Sequence, residues 1–313
     1  MHHSKKRLLG ALLGSALLAL IGPASGLSAA PAPPAAPAAQ APLEVDVALV
    51  LAIDTSGSID YQEAELQRKG IAEALLSKEV LQAIQSGSLG RIGVAAVYFS
   101  SRQYGVMSVP VNWTIVRDQK SAEEFVKRLV AAPRQSARGT SISDALELSE
   151  RLLAIGPYRS TKQVIDVSGD GANNAGRRVM EVRDEVLAKS ITINALPIMD
   201  ETTQQDLDKY FEGCVIGGPG SFVLPAKGFG DFARAMRRKL ILEISGLTPE
   251  EIPAGNPLLK KVAATTPPGA PARPAPRGGY TARKPPYPGG CDFPMFGGFG
   301  NFNFGGGFSL PER

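Results

Sequence analysis

Val45-Asp-Val-Ala-Leu-Val-Leu-Ala-Ile53, followed at once by Asp54-Thr-Ser-Gly-Ser58, is the stretch that decides the fold. The run is apolar at all but one position. It does not alternate as a strand with one wet face would, so it reads as a strand buried on both sides, the habit of parallel sheets with helices packed on each face. It ends abruptly in a polar, glycine-containing segment, the composition of a loop rather than of a continuing element.

Working outward, apolar runs and helical patterns take turns. Tyr61–Gln85 has helical spacing at Leu66, Ile71, Leu75, Val80 and Ile84, with a break near Ser77. Arg91–Phe99 is a second strand. Gln103–Ile115 follows after too short a link for a crossover and is therefore expected to pair antiparallel. A helix over 121–132 is opened by Ser121-Ala-Glu-Glu124, which fits a capping box. The pattern then predicts helix 141–155, strand 163–167, helix 179–189, strand 191–196, helix 203–211, a short strand 221–224 and a closing helix 229–244. Such alternation predicts an α/β fold: a doubly wound, mostly parallel central sheet with one antiparallel edge strand and helices on both faces.

The 313 residues divide by composition. Lys5, Lys6 and Arg7 precede an apolar run, Leu8–Ile21, and then small residues, which is the layout of a signal peptide. Residues 1–30 are therefore expected to be a signal peptide, with cleavage after Gly26 or Ala30 both fitting. Residues 31–43 are an Ala/Pro spacer, 44–245 the folded domain, and 246–313 a Pro/Gly-rich, Phe-containing tail expected to be disordered. Six of the twelve phenylalanines fall between 293 and 308. Export to the periplasm or the extracellular space follows, with no transmembrane segment left in the mature chain.

His2 and His3, the only histidines, lie in the leader. A mature chain without histidine has no Ser-His-Asp or Cys-His system and no His-ligated zinc. Three of the positive charges behind the overall +4 lie in the leader and a net five in the tail, so residues 31–254 carry a net charge near −4. That distribution argues against a nucleic-acid partner. Cys214 and Cys291 could pair with each other, remain free thiols, or bond to another chain.

In a doubly wound sheet, ligands gather beyond the carboxyl ends of the strands. Asp54, Ser56 and Ser58 follow the first strand, Asp170-Gly171 follows the strand at 163, and Gly139-Thr140 opens the helix near 141. Two carboxylates and three hydroxyls suit a hard cation such as Mg²⁺, with Mn²⁺ or Ca²⁺ as alternatives. An ion so lightly neutralised attracts an acidic side chain from elsewhere. Each element also has a plain structural reading: Thr140 or Ser141 as a helix cap, Asp54 and Asp170-Gly171 as turn formers.

The order Asp54-x-Ser56-x-Ser58, Thr140, Asp170-Gly171, each in its strand or helix context, resembles the metal-ion-dependent adhesion site of von Willebrand factor A domains. VIDVSGDGANN (164–174) and CVIGGPGSFV (214–223) resemble an exported, uncharacterised bacterial branch of that superfamily. The resemblance implies that Ser56, Ser58 and Thr140 supply hydroxyl ligands and that Asp54 and Asp170 act largely through bound water. It implies a non-catalytic module whose protein partner offers an exposed Asp or Glu. Gly169 departs from the apolar residue or Thr often found before the final Asp-Gly.

Lesser features are read structurally. Asp166 is expected to be a buried, hydrogen-bonded carboxylate, Trp113 a core residue, Asn173 and Asn174 loop formers, and Gly217-Gly-Pro-Gly220 a turn. Arg237-Arg238-Lys239 reads as a charge cluster near a helix C-terminus. Two other functions compete. A metal-dependent phosphohydrolase would use Asp54 as the first acid of a D-x-D motif, but position 56 is Ser. A structural envelope protein would act through the Phe/Gly-rich tail.

Overall fold

The computed structural model describes residues 42–104, 107–199, 206–247, 249 and 290–291. In chain order the elements are β1 (Leu43–Glu44), β2 (Ala48–Asp54), α1 (Tyr61–Leu76), α2 (Lys78–Gln85), β3 (Ile92–Phe99), β4 (Met107–Val116), α3 (Gln119–Ala131) and α4 (Ile142–Ile155). There follow β5 (Tyr158–Arg159), β6 (Gln163–Gly169), α5 (Val179–Leu187), β7 (Thr192–Pro197), α6 (Leu207–Tyr210) and α7 (Phe232–Ser245). Five strands form one sheet in the order β4-β3-β2-β6-β7, and β4 alone runs antiparallel, against β3. The two-residue strands β1 and β5 pair separately.

β2 sits at the centre, and every one of its residues is buried. Its alternate side chains serve opposite layers. Leu49, Leu51 and Ile53 pack with apolar residues of α1, α2, α3 and α7, whereas Ala48, Val50 and Ala52 pack with those of α4 and α5. A strand sandwiched between two helical layers has no face to spare for polar side chains, hence the unbroken apolar run. The strand order reverses between β3 on one side of β2 and β6 on the other, which opens the crevice at their carboxyl ends.

Several boundaries differ from the sequence reading, each for a local reason. Ser77 both ends α1 and caps α2, its hydroxyl accepting from Val80 N (3.3 Å). α3 begins earlier than expected: Asp118 is the N-cap, accepting from Ser121 N (2.8 Å), so Ser121 is the last residue of the box rather than the first. The helix expected over 203–211 is described only as Leu207–Tyr210 running into a π-turn, Phe211–Val215; positions 203–205 fall outside the described residues. The strand expected at 221–224 is reduced to single parallel bridges, Ala195 with Val223 and Ile198 with Ala226. Pro225 and the positive-φ glycines Gly218 and Gly220 leave no room for a continuous ladder. Trp113 is half-buried on β4, edge-on to Tyr158 at 5.8 Å, with its indole N–H donating to Leu152 O (3.1 Å).

Lys239 corrects the reading of the 237–239 cluster, because it is fully buried beneath α7. Its Nζ lies 2.5 Å from Asp166 Oδ1 on β6 and 2.5 Å from Glu243 Oε1 one turn along α7. Asn194, beside Asp166 in the β6–β7 register, donates to Glu243 Oε1 (2.8 Å) and accepts from Phe222 N (3.0 Å). Burial, reinforced by the charge of Glu243 and opposed by Lys239, pushes Asp166 up to about 7. Cys214 and Cys291 are joined by a disulfide, Cα atoms 5.4 Å apart, and both are buried with Tyr210 and Phe211. Three residues after Cys214, Gly217 pairs with Ile193 near the amino end of β7, away from the carboxyl edge of the sheet.

Candidate metal centre

Asp54 is the last residue of β2 and is wholly buried. One of its oxygens, Oδ1, accepts from Ser56 N at 2.7 Å, which fixes the turn that follows. The other, Oδ2, is buried without a hydrogen-bond partner. Ser56 Oγ then lies 3.1 Å from Ser58 Oγ, and Ser58 Oγ donates to Asp170 Oδ1 at 2.9 Å. Thus the segment after β2 and the segment after β6, 112 positions apart, meet through hydroxyls and one carboxylate.

Thr140 joins from a third loop. The helix-capping alternative is answered by its neighbour: Ser141 is the N-cap of α4, accepting from Asp144 N at 3.2 Å, so the Thr140 hydroxyl is not committed to that role. That hydroxyl faces the 170–171 turn, with Thr140 Oγ1 3.6 Å from where a Cβ on Gly171 would stand. The loop is held by its backbone. Gly139 has φ +80°, a left-handed conformation, and a Cβ there would also press within 3.3 Å of Ala175. Asn174 Oδ1 accepts from Thr140 N (2.7 Å) while Asn174 N donates to Thr140 O (2.9 Å). Asn173 Oδ1 accepts from Ser143 N (3.0 Å), and its amide donates to Arg177 O (3.1 Å). Both asparagines are clasps between the loop after β6 and the start of α4.

All five residues are thus gathered at one edge: Asp54, Ser56, Ser58, Thr140 and Asp170. Sequence reasoning noted Gly169 only as a departure from the family pattern and did not see its packing role. A Cβ at this position would lie 2.8 Å from Asp54 Oδ2 and 3.1 Å from Asp54 Cβ. Glycine is what lets β6 pass behind the buried carboxyl, and only the adjacency of β2 and β6 reveals it.

Burial first, and the charge of Asp170 second, push Asp54 up to about 8. No Lys or Arg forms an ion pair with Asp54 among the described residues. A buried carboxylate with an orphaned oxygen, a second carboxylate and three neutral hydroxyls make an oxygen-only donor set, which fits a hard divalent ion.

Comparison with known proteins adds the family and the fold. A family described as "Protein of unknown function (DUF1194)" matches residues 44–248. No curated protein matches the chain. Among solved structures, proximal thread matrix protein 1 from the mussel byssus aligns with TM-score 0.50 at 16% identity, over 65% of this chain and 49% of that one. The pilus adhesin SpaC from Lactobacillus rhamnosus GG aligns with TM-score 0.50 at 15% identity, over 65% of this chain and 31% of that one. The chain therefore spans about half the length of the first and under a third of the second. At such identities the likeness is one of fold, and the fold is that of a von Willebrand factor A domain.

Proposed function

Starting from a chain that belongs to the DUF1194 family, we propose that this protein is an exported, non-catalytic von Willebrand factor A-type module. It binds a divalent cation and, through that ion, an acidic residue of a protein partner, in an adhesion, scaffold or assembly role. The observation that carries this reading is the convergence of Asp54, Ser56, Ser58, Thr140 and Asp170 at one edge of the sheet, with Asp54 Oδ2 buried and without a hydrogen-bond partner.

Ser56, Ser58 and Thr140 are neutral donors, and Asp54 and Asp170 bring two negative charges. With neutral hydroxyls as direct ligands and the two carboxylates acting largely through water, a divalent ion would stay under-neutralised in its inner shell and so attract an incoming carboxylate. Asp54, held by Ser56 N, orients the serine loop, and Asp170 holds the Ser58 hydroxyl. These are positioning roles of the kind that groups behind metal ligands perform. The leader that supports export lies outside the described residues. Among the described residues no helix is long and apolar enough to cross a membrane.

The test is calorimetric titration of the purified full chain with Mn²⁺ and Mg²⁺, beside Asp54→Ala and Ser56→Ala. Saturable binding by the parent, weakened at least tenfold in both variants while their circular dichroism stays native, is the expected result. Failure of millimolar Mn²⁺ either to bind or to raise thermal stability would end the metal reading.

A further inference from the structure

Several arginines approach the carboxyl edge, and all but one are committed. Arg134 donates to Ile59 O. Arg102 pairs with Asp144 (3.5 Å) and Glu147 (3.3 Å), and Arg177 with Glu147 (3.1 Å) and Glu185 (2.6 Å). Arg138 is exposed and, among the described residues, makes neither an ion pair nor a side-chain hydrogen bond. Its backbone is nonetheless well fixed. Ala137 bridges to Ser56, Gly139 is turned inward against Ala175, and Thr140 follows. A guanidinium is therefore carried on the loop that runs between two of the hydroxyl donors.

The same edge carries the two exposed aromatic side chains among the described residues. Tyr61, 68% exposed, opens α1 three positions after Ser58, and Tyr104, 55% exposed, stands one turn beyond Ser101, whose Cβ borders Gly139. Tyr and Arg are the residue types that most often anchor protein partners.

A divalent ion cancels Asp54 and Asp170, and one incoming carboxylate leaves the ion and its acids with a single net negative charge. A second acidic side chain in the partner would then be repelled unless a cation received it. We infer that Arg138, on the edge that also exposes Tyr61 and Tyr104, is a second subsite: the partner segment carries two acidic side chains close in sequence, one for the ion and one for Arg138, beside an apolar or aromatic residue. This rests on the metal-dependent reading above and narrows it from one acidic residue to a paired acidic motif. Because the Arg138 contact is exposed, it tunes selectivity and weakens with salt more than it adds affinity.

The experiment uses the full chain in saturating Mn²⁺ at low ionic strength and two synthetic peptides of equal length. Both contain a tyrosine; one carries Glu-Gly-Glu, the other Glu-Gly-Gln. The parent is expected to prefer the two-acid peptide by up to about fivefold, the preference shrinking as NaCl is added. Arg138→Gln should abolish the preference while leaving Mn²⁺ binding and single-acid binding unchanged, and Arg138→Lys should keep part of it. Equal binding of the two peptides by the parent, or an undiminished preference in Arg138→Gln, overturns the inference and leaves the metal reading intact. Absence of any Mn²⁺-dependent peptide binding overturns both.

Discussion

Asp54 with Asp170 at the carboxyl edge of the sheet, and Asp166 with Glu243 beneath α7, are both pairs of acidic side chains wholly or partly withdrawn from water, yet the fold treats them in opposite ways. The pair under α7 brings its own cation. Lys239 reaches both acids at 2.5 Å, and Asn194 satisfies a further bond to Glu243. At the edge, Asp54 has hydroxyls nearby and, among the described residues, no ion pair with Lys or Arg; its Oδ2, like Asp166 Oδ2 and Glu243 Oε2, has no hydrogen-bond partner. An acid cluster neutralised from within is a structural device; one left for an outside ion to neutralise is, in the function proposed here, a binding device. Burial raises an acid in both places, so the pKa direction alone does not tell them apart. The supply of counter-charge does.

The largest effect expected from that contrast comes from removing the internal cation. Lys239→Met leaves Asp166 and Glu243 buried and uncompensated, which costs about 3–5 kcal/mol when one partner of a buried pair is lost. Urea unfolding should show a lower midpoint at pH 7.5 with Mn²⁺ affinity retained in the fraction that folds. A midpoint within experimental error of the parent would mean the cluster is hydrated and not the structural device described here.

A smaller effect separates the clusters by pH. Asp166 is raised from 3.8 to about 7, so the folded protein keeps a proton that the unfolded chain releases over that range. Stability from this group is therefore greatest at or below about pH 4, declines as pH rises toward 7, and is level above that. Unfolding of parent and Asp166→Asn, compared in chelator at pH 4.5, 6 and 7.5, should give the parent the steeper decline. Parallel curves would show that Asp166 is ionised throughout.

The two regions also differ in how far the sequence disclosed them. The edge was legible. A strand buried on both faces announces itself by an unbroken apolar run, and Asp54, Ser56, Ser58, Thr140 and Asp170 each stand where such an element ends or begins. The α7 cluster was only half legible. Asp166 stood out as a charge inside an apolar strand, but its partner Lys239 sits among Arg237 and Arg238, and nothing local distinguishes the inward member of three consecutive cations. That choice is made by the rotation of α7 against β6 and β7, which is tertiary information. The α3 cap was misread for a related reason: Asp118 and Ser121 both suit an N-cap, and the register depends on where β4 stops. At 221–224 the expected strand is reduced to isolated contact with β7, through Val223 and, two residues beyond the expected end, Ala226.

Gly169 provides the finest test of the contrast, because it belongs to β6, the strand that also carries Asp166. Toward α7, a full side chain at 166 is accommodated by Lys239. At the carboxyl edge, the approach of β6 to β2 leaves no space for even a methyl group: a Cβ at 169 would stand 2.8 Å from Asp54 Oδ2 and 3.1 Å from Asp54 Cβ. Gly169→Ala must displace either the strand or the carboxyl. The backbone at 169 is locked by pairing with Pro197 in the β6–β7 ladder, so the carboxyl is the part that gives. Overpacking of this kind costs about 1–3 kcal/mol. Because the strain falls on Asp54, part of it should surface as weaker Mn²⁺ binding, whereas the pH slope assigned to Asp166 should not change. A variant that lost stability but bound Mn²⁺ as tightly as the parent would show that the ion does not depend on where Asp54 is held, and would remove Asp54 from the proposed site while leaving the three hydroxyls and Asp170 in it.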